Sequence, residues 1–167
     1  MIADENWRAG APEDVAAIRA LVDAAYAKWI PLIGRKPLPM LSDYARAIHE
    51  HDFTLVARDG ELIGLIETEA RSDHLYIVNI AVAVDRQGLG IGRRLIAHAE
   101  RQALARGFDE IRLMTNVLFA ANVALYERLG YQVYWREPIL GGEAAHMRKR
   151  LEGPGVDRAP SGADSRR

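Results

Sequence analysis

Three glycines alternate at Gly88, Gly90 and Gly92 in the string QGLGIGRR, between an apolar run and an amphipathic segment. Glycine accepts positive φ and, having no β-carbon, lets a ligand approach the main chain. The first N–H groups of a helix have no partner within the helix, and its dipole gives that end roughly half a positive charge. A glycine loop that leads into a helix therefore predicts an anion site, for which a pyrophosphate is a natural ligand.

The residues after these glycines separate the kinds of phosphate loop. A P-loop ends in Gly-Lys-Ser/Thr, whereas Gly92 is followed by Arg93 and Arg94. A dinucleotide fingerprint needs GxGxxG, and its third glycine would fall at Arg93 or Leu95. The spacing excludes a P-loop and argues against a nucleotide-binding oxidoreductase. Arg93 and Arg94 are candidates for phosphate contacts, or they belong to a solvated helix face.

The elements before the loop include a short strand and two helices. The strand is Trp7–Ala9, and APEDVAAIRALVDAAYAKWI places apolar residues at helical spacing behind a proline and two acids. The next ten residues, PLIGRKPLPM, hold three prolines and a glycine and predict an ordered loop. Ser42 is predicted to cap a second, short helix that runs to about His49.

The rest of the chain predicts a sheet. FTLVAR and ELIGLIETEA form a hairpin through Asp59 and Gly60, and HLYIVNIAVAV is a strand covered on both faces. EIRLMT, QVYWR and AAHMRKRL add three strands, with a helix at about residues 121–129. The order predicts an α/β domain over residues 1–151, a mixed sheet with helices on both faces. Residues 152–167 lack periodicity and predict a disordered tail.

Composition narrows the possible functions. The chain has 22 basic and 23 acidic residues, so no net field favours nucleic acid. It has no cysteine, which excludes disulfides, thiolate zinc sites and transfer through an enzyme thiol. His49 and His51 point to different faces of a helix, so no metal site is expected. The first residues contain no leader pattern and the longest apolar run is half a membrane span, so we expect a cytoplasmic protein without a membrane partner.

The string at Gln87, Gly90 and Gly92 resembles the acetyl-CoA loop of the GNAT N-acetyltransferase superfamily, whose pattern is Q/R-x-x-G-x-G/A. The similarity continues through NIAV before the loop and through NVALYERLGY, which is similar to the family's fourth-helix signature. This resemblance implies a mostly antiparallel mixed sheet of about six to seven strands. It also implies acetyl-CoA as co-substrate, direct N-acetyl transfer to a primary amine, and a homodimer as a candidate assembly.

The resemblance also implies roles for individual residues. Main-chain groups of the apolar strand would pair with the acetyl-pantetheine arm, and loop amides would hold the pyrophosphate. Asn122 would contact the pantetheine or phosphate region, and Tyr126 would stand near the thioester sulfur as a catalytic residue. Four positions apart, these two side chains share a helical face. Alternatively, Asn122 caps the helix and Tyr126 only packs. The implied cofactor-binding residues are Ile80, Ala81, Val82, Gln87, Gly88, Leu89, Gly90, Ile91, Gly92, Arg93 and Asn122.

The reaction needs a base, since an alkyl amine with a pKa near 10.4 is neutral only about once in 2500 molecules at pH 7. Some relatives keep a glutamate on the fifth strand, where this chain has RLMTN and no carboxylate. Glu67 is our candidate base, with ordered water as an equal contender. Glu67, Glu69 and His74 are each compatible with a solvated strand end.

Two questions stay open from the sequence. A catalytically silent acyl-CoA-binding or sensing module on the same fold would keep the glycine loop without needing Tyr126. The acceptor is a peptide N-terminus, a lysine, a polyamine, an amino sugar or a small xenobiotic amine. Because proline-rich ordered loops beside a sheet commonly line a site, we expect residues 29–40, with Trp29 and Arg35, to select the acceptor.

Overall fold

The computed structural model describes residues 4–153. Its strands are β1 (Asn6–Ala9), β2 (Asp52–Arg58), β3 (Glu61–Ala70), β4 (Leu75–Val82), β5 (Glu110–Asn116), β6 (Gln132–Ile139) and β7 (Gly142–Arg150). Its α-helices are α1 (Val15–Tyr26), α2 (Ile30–Ile33), α3 (Leu38–Leu41), α4 (Tyr44–Glu50), α5 (Ile91–Ala105) and α6 (Ala120–Arg128). Within residues 4–153, no helix is long and apolar enough to cross a membrane. The predicted tail from residue 154 onward lies outside the described residues.

All seven strands form one sheet, in the order β1-β2-β3-β4-β5-β7-β6. The β4–β5 pair is parallel and every other pair is antiparallel. The parallel pair arises because α5 forms a crossover between β4 and β5, as parallel neighbours require. The prediction of a mixed, mostly antiparallel sheet of six to seven strands is confirmed.

The sheet opens between its two central strands. Strand β4 pairs with β5 only from Leu75 to Ile77, opposite residues 111–113. Beyond Ile77 both strands continue, β4 to Val82 and β5 to Asn116, without further paired residues between them. The main-chain groups on the facing edges of this split lack the ladder partners that a continuous sheet would supply. The split is therefore a place where another chain or ligand can hydrogen bond.

Two hydrophobic clusters cover the faces of the sheet. On one face, α1 and α4 bury residues such as Ile18, Val22 and Tyr44 against β2 and β3. On the other, α5 contributes Leu95 and further apolar residues to the larger cluster. The α5 helix lies so close to β3 that a β-carbon on Gly64 would stand 3.0 Å from Ile91 Cγ2. The position of α5, and so of the loop before it, depends on this close contact.

Two local predictions were wrong. The proline-rich segment is ordered, but it contains the one-turn helices α2 and α3, with Pro31 and Pro39 in their first turns. Proline is favourable there because the first-turn N–H groups have no helical partner. The cap of α4 is Asp43 instead of Ser42, since the Asp43 carboxylate accepts from the Arg46 N–H at 3.2 Å. The hydroxyl of Ser42 lies 3.4 Å from the Leu38 carbonyl oxygen.

Candidate functional site

Two cavities meet at the split between β4 and β5. The loop cavity, of about 470 Å³, is bounded by the 87–93 loop, the C-terminal end of α1 and one face of α6. The proline cavity, of about 240 Å³, is bounded by the segment around Pro37 and Pro39 and by β3, β4 and β5. The residues that line both cavities are Tyr26, Ile80, Asn122 and Tyr126. A ligand in one cavity can therefore touch a ligand in the other at these four residues.

The 87–93 loop presents main-chain donors to the loop cavity. Gly88 and Gly90 have φ of 78° and 81°, the left-handed conformation that glycine adopts without steric cost. The helix α5 begins at Ile91 without a side-chain cap, and the N–H of Arg94 is the first to bond back, to Gly90 O at 3.1 Å. The three preceding helical N–H groups thus remain available, as an anion site requires.

Gly92 differs from its two neighbours in the pattern. Its φ is not positive, so it is not needed for the turn. A β-carbon there would meet only Val82 Cγ2, at an ordinary 3.8 Å. Our expectation that Gly92 serves a left-handed conformation is wrong. Gly92 lines the loop cavity, and the space that its missing side chain leaves belongs to that cavity.

The loop cavity is electropositive. Its lining residues include four cations, Lys28, Arg86, Arg93 and Arg128. None of its lining residues is acidic. Arg94, which we considered as a phosphate contact, instead bonds Glu5 with Nη2 to Oε1 at 2.9 Å. This hydrogen bond is the main cause that lowers the pKa of Glu5 to about 2. Of the two consecutive arginines, only Arg93 lies at the cavity.

Main-chain groups of β4 face the split at alternate residues. The carbonyl of Ile80 accepts from the Tyr26 hydroxyl at 3.0 Å, and that of Val82 accepts from Gln87 Nε2 at 3.1 Å. Since the N–H and C=O of a strand residue lie on the same side, the N–H groups of these two residues also face away from β3. The N–H of Ala83 bonds to β3, at Ile63 O. Ala81 shares that orientation, so its main chain pairs with Leu65 of β3, and the residue also lines the loop cavity. Its contact with the ligand stays a prediction.

Helix α6 carries Asn122 and Tyr126 on its cavity face. The helix is capped at Phe119, and Asn122 already lies within it, which excludes the alternative that Asn122 is the cap. The ring of Tyr126 packs edge-on against Tyr131, with centroids 6.1 Å apart. Burial raises the pKa of Tyr126 to about 12, so its hydroxyl remains a proton donor. Tyr126 therefore packs against Tyr131 and, in addition, lines both cavities.

Glu67 is buried in the wall of the proline cavity, with 2% of its surface exposed. A solvated strand end is therefore excluded for it. Burial raises the pKa of its carboxyl, and a hydrogen bond with His51 Nδ1 at 2.6 Å partly opposes that rise. The two other candidates are engaged elsewhere, Glu69 with Arg71 at 2.8 Å and His74 with Asp73 at 2.6 Å. Of the three, Glu67 alone lines either of the two cavities described above.

Several residues of the site gave no sequence signal. The Tyr26 hydroxyl reaches Asn79 Oδ1 at 2.7 Å as well as Ile80 O, and Asn79 Nδ2 donates to Tyr44 at 3.1 Å. The Tyr44 hydroxyl in turn donates to Pro39 O at 2.7 Å. This network ties α1 and the proline-rich segment to β4. Tyrosines at helical spacing are typical core residues, and only the fold shows that these two are linked to β4 through Asn79.

The predicted substrate-selecting loop divides between the cavities. Trp29 stacks on Phe119 with centroids 4.4 Å apart, and it lines the loop cavity. Arg35 and Pro37 line the proline cavity, where Arg35 Nε donates to Leu140 O at 2.6 Å. The two positions that we grouped from the sequence therefore line different cavities. Across residues 4–153, no three His, Cys, Asp or Glu side chains group as a metal site would need.

Comparison with known proteins consistently finds acetyltransferases. The model of the acetyltransferase (GNAT) family matches residues 18–131. N-acetyltransferase family 8 member 3 of Rattus norvegicus is 29% identical over 90 residues, which are 50% of this chain and 40% of that protein. The [ribosomal protein bS18]-alanine N-acetyltransferase of Escherichia coli K12 is 33% identical over 76 residues, 46% of this chain and 51% of that protein. The matches thus span about half or less of these relatives.

The fold has close counterparts among solved structures. The PaiA N-acetyltransferase of Thermoplasma acidophilum, solved in complex with coenzyme A, superposes with a TM-score of 0.76 at 18% identity. The superposition covers 89% of this chain and 99% of that one. At this level of identity the similarity establishes the shared fold.

Proposed function

The chain belongs to the acetyltransferase (GNAT) family, and on that premise we propose that it transfers an acetyl group from acetyl-CoA directly to a primary amine. The observation that carries this proposal is the junction of two cavities at the split of the sheet, through Tyr26, Ile80, Asn122 and Tyr126. Direct transfer needs both substrates at once, with their reacting atoms in contact. The absence of cysteine excludes transfer through an enzyme thiol.

Acetyl-CoA would occupy the loop cavity. The unpaired N–H groups at residues 91–93 and the four surrounding cations suit its pyrophosphate. The N–H groups of Ile80 and Val82, which face away from β3, are positioned to pair with amides of the pantetheine arm. The thioester would then lie at the junction, where the amine enters from the proline cavity.

The proposed reaction uses main-chain groups at the split of the sheet and Glu67 in the proline cavity. The neutral amine nitrogen attacks the thioester carbonyl and a C–N bond forms. The C–S bond then breaks to release CoA thiolate, and the nitrogen loses its second proton to solvent, which leaves the neutral amide. A strand N–H facing the split stabilises the oxyanion. Glu67 accepts the proton that the ammonium loses before attack. Its raised pKa and its place in the proline cavity support this role.

Tyr126 would hydrogen bond the departing thiolate. Its pKa of about 12 lies above that of a thiol near 8.5, so complete proton transfer to sulfur would be uphill by roughly 5 kcal/mol. A hydrogen bond that strengthens as charge develops on sulfur needs no such transfer. Solvent then supplies the proton to the thiolate.

A panel of amines tests the proposal. The panel contains a peptide with a free N-terminus, a lysine side chain, a polyamine, an amino sugar and a small xenobiotic amine. We expect thiol release from acetyl-CoA that depends on one class of amine and is matched by acetylated product. Tight binding of acetyl-CoA with no amine-dependent release from any class would instead support a silent acyl-CoA-binding module.

A further inference from the structure

The buried carboxylate of Glu67 has a histidine side chain within hydrogen-bond distance. His51 Nδ1 lies 2.6 Å from Glu67 Oε1. The His51 side chain is 22% exposed and that of Glu67 is 3% exposed. His51 follows α4, whereas Glu67 is on β3, so the contact is formed only by the fold. The pair connects the wall of the proline cavity with the protein surface.

We propose that His51 is a positioning residue for the acetyl transfer, which holds one oxygen of the Glu67 carboxylate through Nδ1–H and leaves the other free to accept the proton of the amine. This inference rests on the proposed function of Glu67 as the base. A carboxylate has two oxygens with several acceptor sites, and a hydrogen bond from a fixed donor sets the orientation of the group. An unheld carboxylate would need to be oriented at each turnover.

The proton count is closed by solvent. The ammonium gives one proton to the free oxygen of Glu67, which becomes neutral, while the Nδ1–H of His51 stays on nitrogen. The nitrogen loses a second proton to solvent as the amide forms, and solvent protonates the CoA thiolate. After the product leaves, Glu67 returns its proton to water. The hydrogen bond from His51 stabilises the charged form of the buried Glu67 carboxylate.

Other charged and titratable groups surround Glu67. Glu69 on the same strand opposes the ionised form of Glu67, whereas His51 favours it. The hydroxyls of Tyr44 from α4 and Tyr26 from α1 are also near, and burial is the main cause that raises the pKa of each. Glu67 is the second cause for Tyr44 and a smaller one for Tyr26. Arg35 lines the same cavity. Burial and Glu69 both raise the pKa of Glu67, and the His51 hydrogen bond lowers it. Removing that hydrogen bond should therefore raise the pKa of Glu67 further.

Direct titration of Glu67 tests this without any knowledge of the acceptor. The carboxyl carbon is followed by ¹³C NMR in the wild type, His51→Leu, His51→Asn and His49→Leu. Asparagine places an amide N–H near the position of Nδ1, so it restores the donor. His49 is exposed on α4 and serves as the matched control. We expect a higher pKa of Glu67 in His51→Leu, a return toward wild type in His51→Asn, and no change in His49→Leu.

Kinetics give the second measurement once an acceptor is known. In wild type the acidic limb of the profile of kcat/KM for the amine reports ionisation of Glu67. His51→Leu should move that limb to higher pH and lower kcat at neutral pH by about 10- to 100-fold, while the Kd of acetyl-CoA is unchanged. Calorimetric binding of acetyl-CoA confirms that each variant is folded.

The possible failures are distinguishable. An unchanged pKa of Glu67 in folded His51→Leu overturns the inference, whatever the activity. If Glu67→Gln retains full kcat, Glu67 is not the base and the role of His51 fails, although acetyl transfer stands. If wild type fails to transfer acetyl to any amine while binding acetyl-CoA, the proposed function fails, and with it the catalytic role of His51.

Discussion

The Tyr126 hydroxyl stays protonated through the usual assay range, because burial raises its pKa to about 12. Its ionisation would remove the donor only above that pH, so Tyr126 should add no basic limb to the profile below about pH 11. We expect Tyr126→Phe to lower kcat by roughly 10- to 10³-fold, since the hydrogen bond to the thiolate is lost. The Kd of acetyl-CoA should change little because the ring remains.

A second tyrosine provides the control for this prediction. Tyr134 is 39% exposed on β6 and does not line either cavity, so Tyr134→Phe should leave kcat unchanged. The rates are measured under single-turnover conditions, where chemistry limits them. If Tyr126→Phe keeps the wild-type rate there, Tyr126 is only a packing residue.

Among the individual residues of the site, the sequence predicted those that lie in local motifs. It missed those that only the fold places beside the cavities. Tyr126 and Asn122 were identified from the resemblance of NVALYERLGY to the family's fourth-helix signature, and their spacing of four agrees with one helical face. Glu67 was found as a strand residue, but its burial and its bond to His51 depend on the packing of α4 against the sheet. Tyr26 stood in an ordinary amphipathic pattern, and no local signal relates it to Ile80.

The loop before α5 needs left-handed backbone conformations at Gly88 and Gly90. Gly90 has φ of 81°, which a β-branched residue adopts only at a cost of about 1–2 kcal/mol. Gly90→Val should therefore weaken acetyl-CoA binding by at least 10-fold, since the loop is strained and the new branches enter the space of the ligand. Isothermal calorimetry measures the loss.

The other end of the same helix supplies the matched control. Gly107 has φ of 85° and, like Gly90, would have no atom within 4 Å of an added β-carbon. Gly107→Val should destabilise the fold by a similar amount and leave the Kd of acetyl-CoA unchanged. Equal Kd values for the two variants would mean that Gly90 is only a turn residue.

Two residues of the segment before α4 should affect the apparent affinity for different substrates. Arg35 lines the proline cavity, so Arg35→Ala should raise the KM of the amine by more than that of acetyl-CoA. Trp29 lines the loop cavity and stacks on Phe119, so Trp29→Ala should have the opposite preference. Initial rates with each substrate varied in turn measure both. The same preference in the two variants would contradict the assignment of the cavities.

The elements themselves were largely predictable from local patterns. Hydrophobic periodicity predicted the order of strands and long helices, and the two-residue turn at Asp59 and Gly60 has the expected positive φ values. The early termination of the β4–β5 pairing was not predictable, because the pattern of β4 is that of a strand covered along its whole length. The split depends on which neighbours each strand acquires, which is a property of the sheet.

At the scale of the whole molecule, binding of acetyl-CoA should raise the free energy of unfolding. Acetyl-CoA at 100 times its Kd stabilises the native state by about 2.7 kcal/mol. For a domain of this size that corresponds to a rise in Tm of roughly 5–10 °C. Differential scanning calorimetry measures it, with a nicotinamide dinucleotide as the control ligand. A Tm that rises with the dinucleotide and not with acetyl-CoA would overturn the cofactor assignment.

The central claim is that acetyl-CoA and an amine meet at the split of the sheet. A crystal structure of the acetyl-CoA complex tests it most directly. We predict the pyrophosphate on the amides of residues 91–93, and the thioester at the junction within hydrogen-bond distance of the Ile80 or Val82 N–H, its sulfur beside the Tyr126 hydroxyl. A pyrophosphate bound elsewhere, or a thioester out of reach of the proline cavity, would contradict the account.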